Sequence, residues 1–164
     1  MSAHLTRAPV ASRHRPGRGF ALHRVVMTDA FALDPRLSAD TVHLGDLALC
    51  SVLLMDDARF PWLVLVPRRA GASEITDLTP EDGAALMAEM RLAVGVMLAL
   101  AKPDKVNVAA LGNVVPQLHV HVVGRFLSDP AWPAPVWGVG TPSPYPAHAR
   151  AQMVERIATL FAAA

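Results

Sequence analysis

Several things are scarce in this sequence, and each scarcity removes a class of function. There is one cysteine in 164 residues, which excludes an intrachain disulfide framework and a thiolate metal cluster. That residue, Cys50, lies inside the apolar run Leu47–Val52 and reads as a small core residue in a reducing compartment. Charged residues make up 18% of the chain against 52% apolar, a balance that excludes a disordered polyelectrolyte. Long apolar runs are missing too. The longest, Leu92–Ala101, has ten residues, too few to cross a bilayer, and it continues an amphipathic pattern, so it reads as the buried end of a helix in a soluble protein.

Acidic residues are absent from positions 1–26, which carry Arg7, Arg13, Arg15, Arg18 and Arg24. From Met27 onward ten Lys or Arg face fourteen Asp or Glu. A body of that sign offers no electrostatic footprint for nucleic acid or an anionic membrane. The basic head has no apolar stretch of the secretory kind, so a cytoplasmic location is expected. Pro9, Pro16 and Gly17 break the head, and it shows no hydrophobic periodicity, so it reads as a disordered extension. Residues 27–164 then form a single domain.

What is present reads as five strands and two main helices. Residues 41–45 and 47–56 read as strands about a Gly45-Asp46 turn, and Trp62–Pro67 as a third, buried strand. A helix opens at Thr79, with Pro80 in its first turn and Asp82 placed for a capping box, and ends at Lys102-Pro103. Strands over 105–111 and 117–125 follow, joined through Gly112-Asn113. Residues 130–146 hold six prolines and two tryptophans, a composition that forbids regular structure and suggests a stiff covering strap. A last amphipathic helix runs over 146–161. Short joins favour antiparallel pairing, so the class is α+β.

The segment Gln117-Leu118-His119-Val120-His121-Val122-Val123 carries the chemistry. On a regular strand Gln117, His119, His121 and Arg125 share one face, and Leu118, Val120 and Val122 point to the core. An imidazole is nucleophilic near neutral pH, and its unprotonated nitrogen can attack phosphorus directly. A cupin-type metal site would need a nearby glutamate, and residues 122–128 contain none, so no metal or other cofactor is expected.

This segment resembles the motif of the histidine triad family, His-x-His-x-His followed by apolar residues, in a bacterial-type branch with Gln117 at the first position. The resemblance runs from about Phe31 to Gly138. It includes Leu63-Val64-Leu65-Val66-Pro67-Arg68, the helix opening Leu78-Thr79-Pro80-Glu81, a turn at Asn113, and Ala131-Trp132-Pro133. It implies a five-stranded, mainly antiparallel α+β fold that binds a purine nucleotide or nucleoside phosphate and forms a homodimer. It implies hydrolysis or nucleotidyl transfer at the α-phosphate of a phosphoramidate or dinucleoside polyphosphate. His119 would be the nucleophile, His121 its phosphate-contacting partner, and Asp56 or Asp57 the ribose ligand. Gln117 can hold geometry but cannot shuttle a proton, so a nucleotide-binding module with little turnover is the alternative. Asn113 is a candidate for a phosphate oxygen or for a left-handed turn, and Arg125 for phosphate neutralisation. Trp132 and Trp137 either lid the pocket or pack the strap.

Overall fold

The computed structural model describes residues 30–164; the basic head over 1–26 lies outside them. The described chain forms α1 (Pro35–Asp40), β1 (Thr41–Asp46), β2 (Cys50–Met55), β3 (Trp62–Pro67), α2 (Pro80–Ala101), β4 (Lys105–Ala110), β5 (Val120–Arg125) and α3 (Ala147–Ala162). The strands make one sheet in the order β1-β2-β3-β5-β4, and every neighbouring pair is antiparallel. This is the expected α+β arrangement.

The three central strands are buried on both sides because both faces of the sheet are covered. Val52, Leu54, Leu63, Leu65, Val120 and Val122 meet Leu86, Ala93, Val96, Met97 and Leu100 of α2 and Ile157 of α3. On the other face Leu53, Trp62, Val64, Val66 and Val123 lie under Leu37 of α1 and under Ala131 and Val136 of the strap. The alternation of β5 therefore divides the sheet as expected, with α2 on one side and His121 on the other. Gly124 permits the close approach of α2: a Cβ there would meet Met97 Sδ at 2.9 Å and Pro61 Cγ at 3.3 Å.

Three local expectations need correction. The first hairpin turns over residues 47–49 rather than at Gly45-Asp46. Gly45 instead sits at a register shift within β1, at φ +147°. The cause lies in α2, where the buried Glu89 carboxylate accepts hydrogen bonds from the N–H groups of Leu49 and Cys50 at 2.7 and 2.9 Å. Burial, reinforced by Glu89, pushes the Cys50 thiol well above its ordinary pKa, so it is an inert core group. At the start of α2, Thr79 Oγ1 accepts from Asp82 N–H. The Asp82 carboxylate pairs with Arg69 rather than closing a capping box.

The motif strand is also shorter than its alternation suggests. β5 begins at Val120, the last residue paired to Ala110 of β4 and to Leu65 of β3. Before it, Leu118 N–H goes to the Ala72 carbonyl instead of to a ladder partner. β3 ends at Pro67, which has no N–H to extend the pairing.

α2 spans 22 residues, and its most apolar window has a mean hydropathy of 1.8, enough by length and composition to cross a membrane. One side is nonetheless committed to the sheet, and the carboxylate of Glu89 is bonded within that interface. The opposite side leaves Met87 and Leu98 about half exposed, at 55% and 49%.

Candidate active site

His119 and His121 meet on the sheet face away from α2. Their ring centroids are 4.8 Å apart and nearly perpendicular, at 81°. Each residue is only 5% exposed. His121 is held by β5, opposite Val64 of β3, whereas His119 sits just before the strand, where the chain is no longer fixed by the ladder. A hydrogen bond fixes it instead, between His119 Nδ1 and the Gln117 carbonyl at 2.6 Å.

The partners of the two rings determine where their protons are. A carbonyl only accepts, so His119 Nδ1 carries a hydrogen and, in the neutral ring, Nε2 keeps its lone pair. An indole N–H only donates. Trp62 Nε1 lies 3.0 Å from His121 Nδ1, so that nitrogen is the acceptor and the neutral ring carries its hydrogen on Nε2. The two imidazoles thus have opposite polarity at Nε2, one a lone pair and the other an N–H. Beside a phosphate, such a pair supplies a nucleophile and a hydrogen-bond donor.

The surroundings keep His121 uncharged. Trp62 and Trp137 pack edge-on to its ring, each at 5.4 Å between centroids. Burial, with His119 as the lesser cause, lowers the His121 pKa from 6.5 to about 4. Trp137 reaches the site from the strap and also packs on Trp62 at 5.8 Å. Trp132 is elsewhere, under the Arg125 guanidinium.

The remaining candidates are placed differently from their expected roles. Gln117 spans two backbone groups of the segment before α1: its Nε2 donates to the Ala32 carbonyl and its Oε1 accepts from Asp34 N–H, both at 2.8 Å. Its side chain is therefore a tie between chain segments, and its backbone carbonyl is what touches His119.

Arg125 shares the His121 face but is 1% exposed, with its guanidinium bonded to Asp129, Asn107 and the Ala134 carbonyl. Those acceptors replace the phosphate expected of it. The Arg125 hydrogen bond in turn lowers the Asp129 pKa from 3.8 to about 2, against the opposing effect of burial.

Asp56 accepts from Tyr145 N–H and pairs with Arg150. Asp57 is buried and pairs with Arg59, also accepting from Ser143 N–H. Burial would raise the Asp57 pKa, but these hydrogen bonds outweigh it and hold the carboxyl below its ordinary value. Each oxygen of the two carboxylates thus already accepts a hydrogen bond, from the backbone of the strap end, from Arg150 of α3 or from Arg59. Asn113 is exposed in the turn. Neither it nor Gly112 has a positive φ, so the left-handed turn is not formed.

Two functional features escaped the sequence reading. Trp62 looked like an ordinary core residue, although a buried indole N–H needs an acceptor and could have signalled a polar neighbour. Asp129 gave no signal as the partner of Arg125. Among the described residues, no group of three or more His, Cys, Asp or Glu could hold a metal ion.

A model of the HIT domain matches residues 36–127. Among solved structures, a histidine triad protein from Bradyrhizobium japonicum is 45% identical, with a TM-score of 0.79 over 80% of this chain and 98% of its own. One from Marinobacter aquaeolei is 46% identical, with a TM-score of 0.79 over 82% and 98%. One from Sinorhizobium meliloti is 45% identical, with a TM-score of 0.77 over 79% and 96%. A comparison with curated proteins found no match.

The burial of His121 has a consequence for stability. Between pH 6.5 and about 4 the unfolded chain binds a proton at this ring that the folded chain refuses. The unfolded state therefore holds more protons, and stability falls as the pH drops through that window, by on the order of 3 kcal/mol in all. Asp129 acts in a separate window, because its depressed pKa costs stability only as the pH falls below 3.8. Denaturant unfolding of His121→Gln is expected to lose about 2–3 kcal/mol less than wild type between pH 7 and pH 4. Equal losses in the two proteins would contradict an uncharged, buried His121.

Proposed function

Since the chain belongs to the histidine triad family, we propose that it is a nucleotide hydrolase or nucleotidyl transferase acting at the α-phosphate of a purine nucleoside phosphate. The observation that carries this reading is the hydrogen bond from His119 Nδ1 to the Gln117 carbonyl, which leaves Nε2 as a lone pair beside a second imidazole. In the first step His119 Nε2 attacks phosphorus. The bond from phosphorus to the leaving group breaks, and its electron pair departs with that group. The ring, now nucleotidylated at Nε2 and still protonated at Nδ1, carries a positive charge facing the Gln117 carbonyl. His121 Nε2–H donates to a phosphoryl or leaving-group oxygen as negative charge develops there. In the second step water or another acceptor attacks phosphorus, the P–N bond breaks, its pair returns to Nε2, and the acceptor's proton goes to solvent.

Gln117 does not need to ionise in this scheme, since the carbonyl that orients His119 belongs to its backbone. Asp56, Asp57 and Arg125 already make contacts within the protein and Asn113 is exposed in the turn, so the reading is carried by the two imidazoles and not by these four residues.

The same family membership, with an exposed apolar side on α2 and an edge strand in β4, supports a homodimer. Met87 and Leu98 on α2 and Val108 on β4 are the exposed apolar side chains it would cover. Sedimentation at micromolar concentration is expected to give a dimer that Leu98→Glu weakens. A wild-type monomer contradicts it.

Turnover tests the catalytic assignment. His119→Ala is expected to lower turnover of a nucleoside polyphosphate by more than about a thousandfold, with nucleotide affinity kept within a few fold. His121→Ala is expected to cost less, about a hundredfold, because one donor to the phosphate is lost while the nucleophile remains. Full activity in His119→Ala contradicts the mechanism. Micromolar mononucleotide binding without turnover in wild type would favour the binding-module reading.

A further inference from the structure

Trp62 opens β3 opposite Val123 of β5, on the same face as His121. It is 7% exposed and packed between Phe60, at 6.5 Å, and Trp137, at 5.8 Å between ring centroids. Its N–H has one acceptor, His121 Nδ1, at 3.0 Å. For His121 to become an imidazolium, Nδ1 would have to gain a hydrogen. Two N–H groups would then oppose each other at hydrogen-bonding distance, and neither could point elsewhere without moving an indole wedged between two aromatic rings. Trp137 flanks the same imidazole edge-on, at 5.4 Å between ring centroids.

We infer that Trp62 is a positioning residue that holds His121 as an Nε2–H donor unable to take up a second proton in place, and that it thereby restricts the site to leaving groups that depart as oxyanions. The inference rests on the nucleotidyl-transfer reading above. An alkylamine cannot leave phosphorus as its anion. The nitrogen must be protonated as the P–N bond breaks, and an imidazolium is the side chain suited to give that proton. A neutral imidazole N–H is too weak an acid to do so. A phosphate group is different, since its second ionisation has a pKa of about 6. It can carry away the electron pair of the broken P–O bond with only a hydrogen bond from His121 Nε2–H. The substrate class this selects is a nucleoside phosphoanhydride rather than an alkyl phosphoramidate. The step balances without an added acid: P–Nε2 forms at His119, P–O breaks, and the phosphate oxyanion leaves.

Two measurements on the full-length protein test this. The first is the 15N spectrum of wild-type histidines, with His121 assigned by loss of its signals in His121→Gln. It should show a bare Nδ1 and a protonated Nε2 on His121 from pH 8 to pH 5. The second compares kcat/KM for diadenosine tetraphosphate with that for an adenosine 5′-phosphoramidate of an alkylamine. Wild type should favour the anhydride by at least about a hundredfold, the usual worth of a general acid. Trp62→Phe keeps a ring and removes the N–H. It should let His121 protonate at a higher pH and narrow the preference about tenfold or more.

A protonated Nδ1 in neutral wild-type His121 overturns the tautomer lock, whatever the enzyme does. Equal cleavage of both substrates by wild type overturns the leaving-group restriction while leaving the nucleotidyl-transfer reading intact. Cleavage of neither, with Nδ1 bare, overturns that reading and the restriction together but upholds the lock. An unchanged preference in folded Trp62→Phe assigns the restriction to another group and overturns the role of Trp62. If that variant does not fold, the wild-type spectrum and substrate ratio still decide.

Discussion

A carbonyl oxygen accepts hydrogen bonds and an indole N–H donates them, and the division of labour between His119 and His121 depends on that difference. Both rings are bonded through Nδ1, one to the Gln117 carbonyl and the other to the Trp62 indole. The first contact drives a hydrogen onto Nδ1 and the second keeps it off. Two chemically identical side chains, 4.8 Å apart and equally buried, thereby present opposite groups at Nε2. No charged residue needs to stand between them. The distinction comes from hydrogen-bond direction, which counts for more at buried rings than in water.

The remainder of the fold covers the face on which those two contacts lie. The sheet supplies a strand with an aliphatic back. α2 lies close against that back because Gly124 has no side chain to hold it off. On the site face, α1 and the strap cover the sheet, and Trp137 completes the aromatic wall around His121. The charged residues near the strap serve this purpose. Asp56 and Asp57 fasten residues 143–150, and Arg125 with Asp129 fastens the strap's beginning. These pairs hold the cover against the sheet. Gln117 joins both functions, orienting His119 with its carbonyl and tying down residues 32–34 with its amide.

Local pattern made the fold legible: alternation in 120–125, a cap at Thr79, and proline density over 130–146. The same locality explains what was misread. Alternation continues back through Gln117, but a strand ends where its neighbours end, and those limits lie at Ala110 and Pro67. Asp56 looked like a free strand-end carboxylate because Tyr145 and Arg150, its partners, are 89 and 94 residues away. Arg125 looked available for phosphate because nothing adjacent announced Asn107, 18 residues back, as an acceptor. The acceptor of the Trp62 indole lies 59 residues on, beyond the reach of any local pattern. The histidine pair was legible because its partnership is two residues long. The contacts that give each histidine its role are split between the near backbone of Gln117 and the distant indole of Trp62.

Chemical mapping of a trapped intermediate tests this division most directly. Wild-type protein is mixed with a nucleoside polyphosphate, denatured in base within the first turnovers, digested and examined by mass spectrometry for a nucleotidyl group. A bare Nε2 on His119 and a hydrogen on Nε2 of His121 predict the adduct on His119, stable in base and lost in acid, with none on His121. An adduct on His121, or on both rings in comparable amounts, would contradict the assignment of one imidazole as nucleophile and the other as donor.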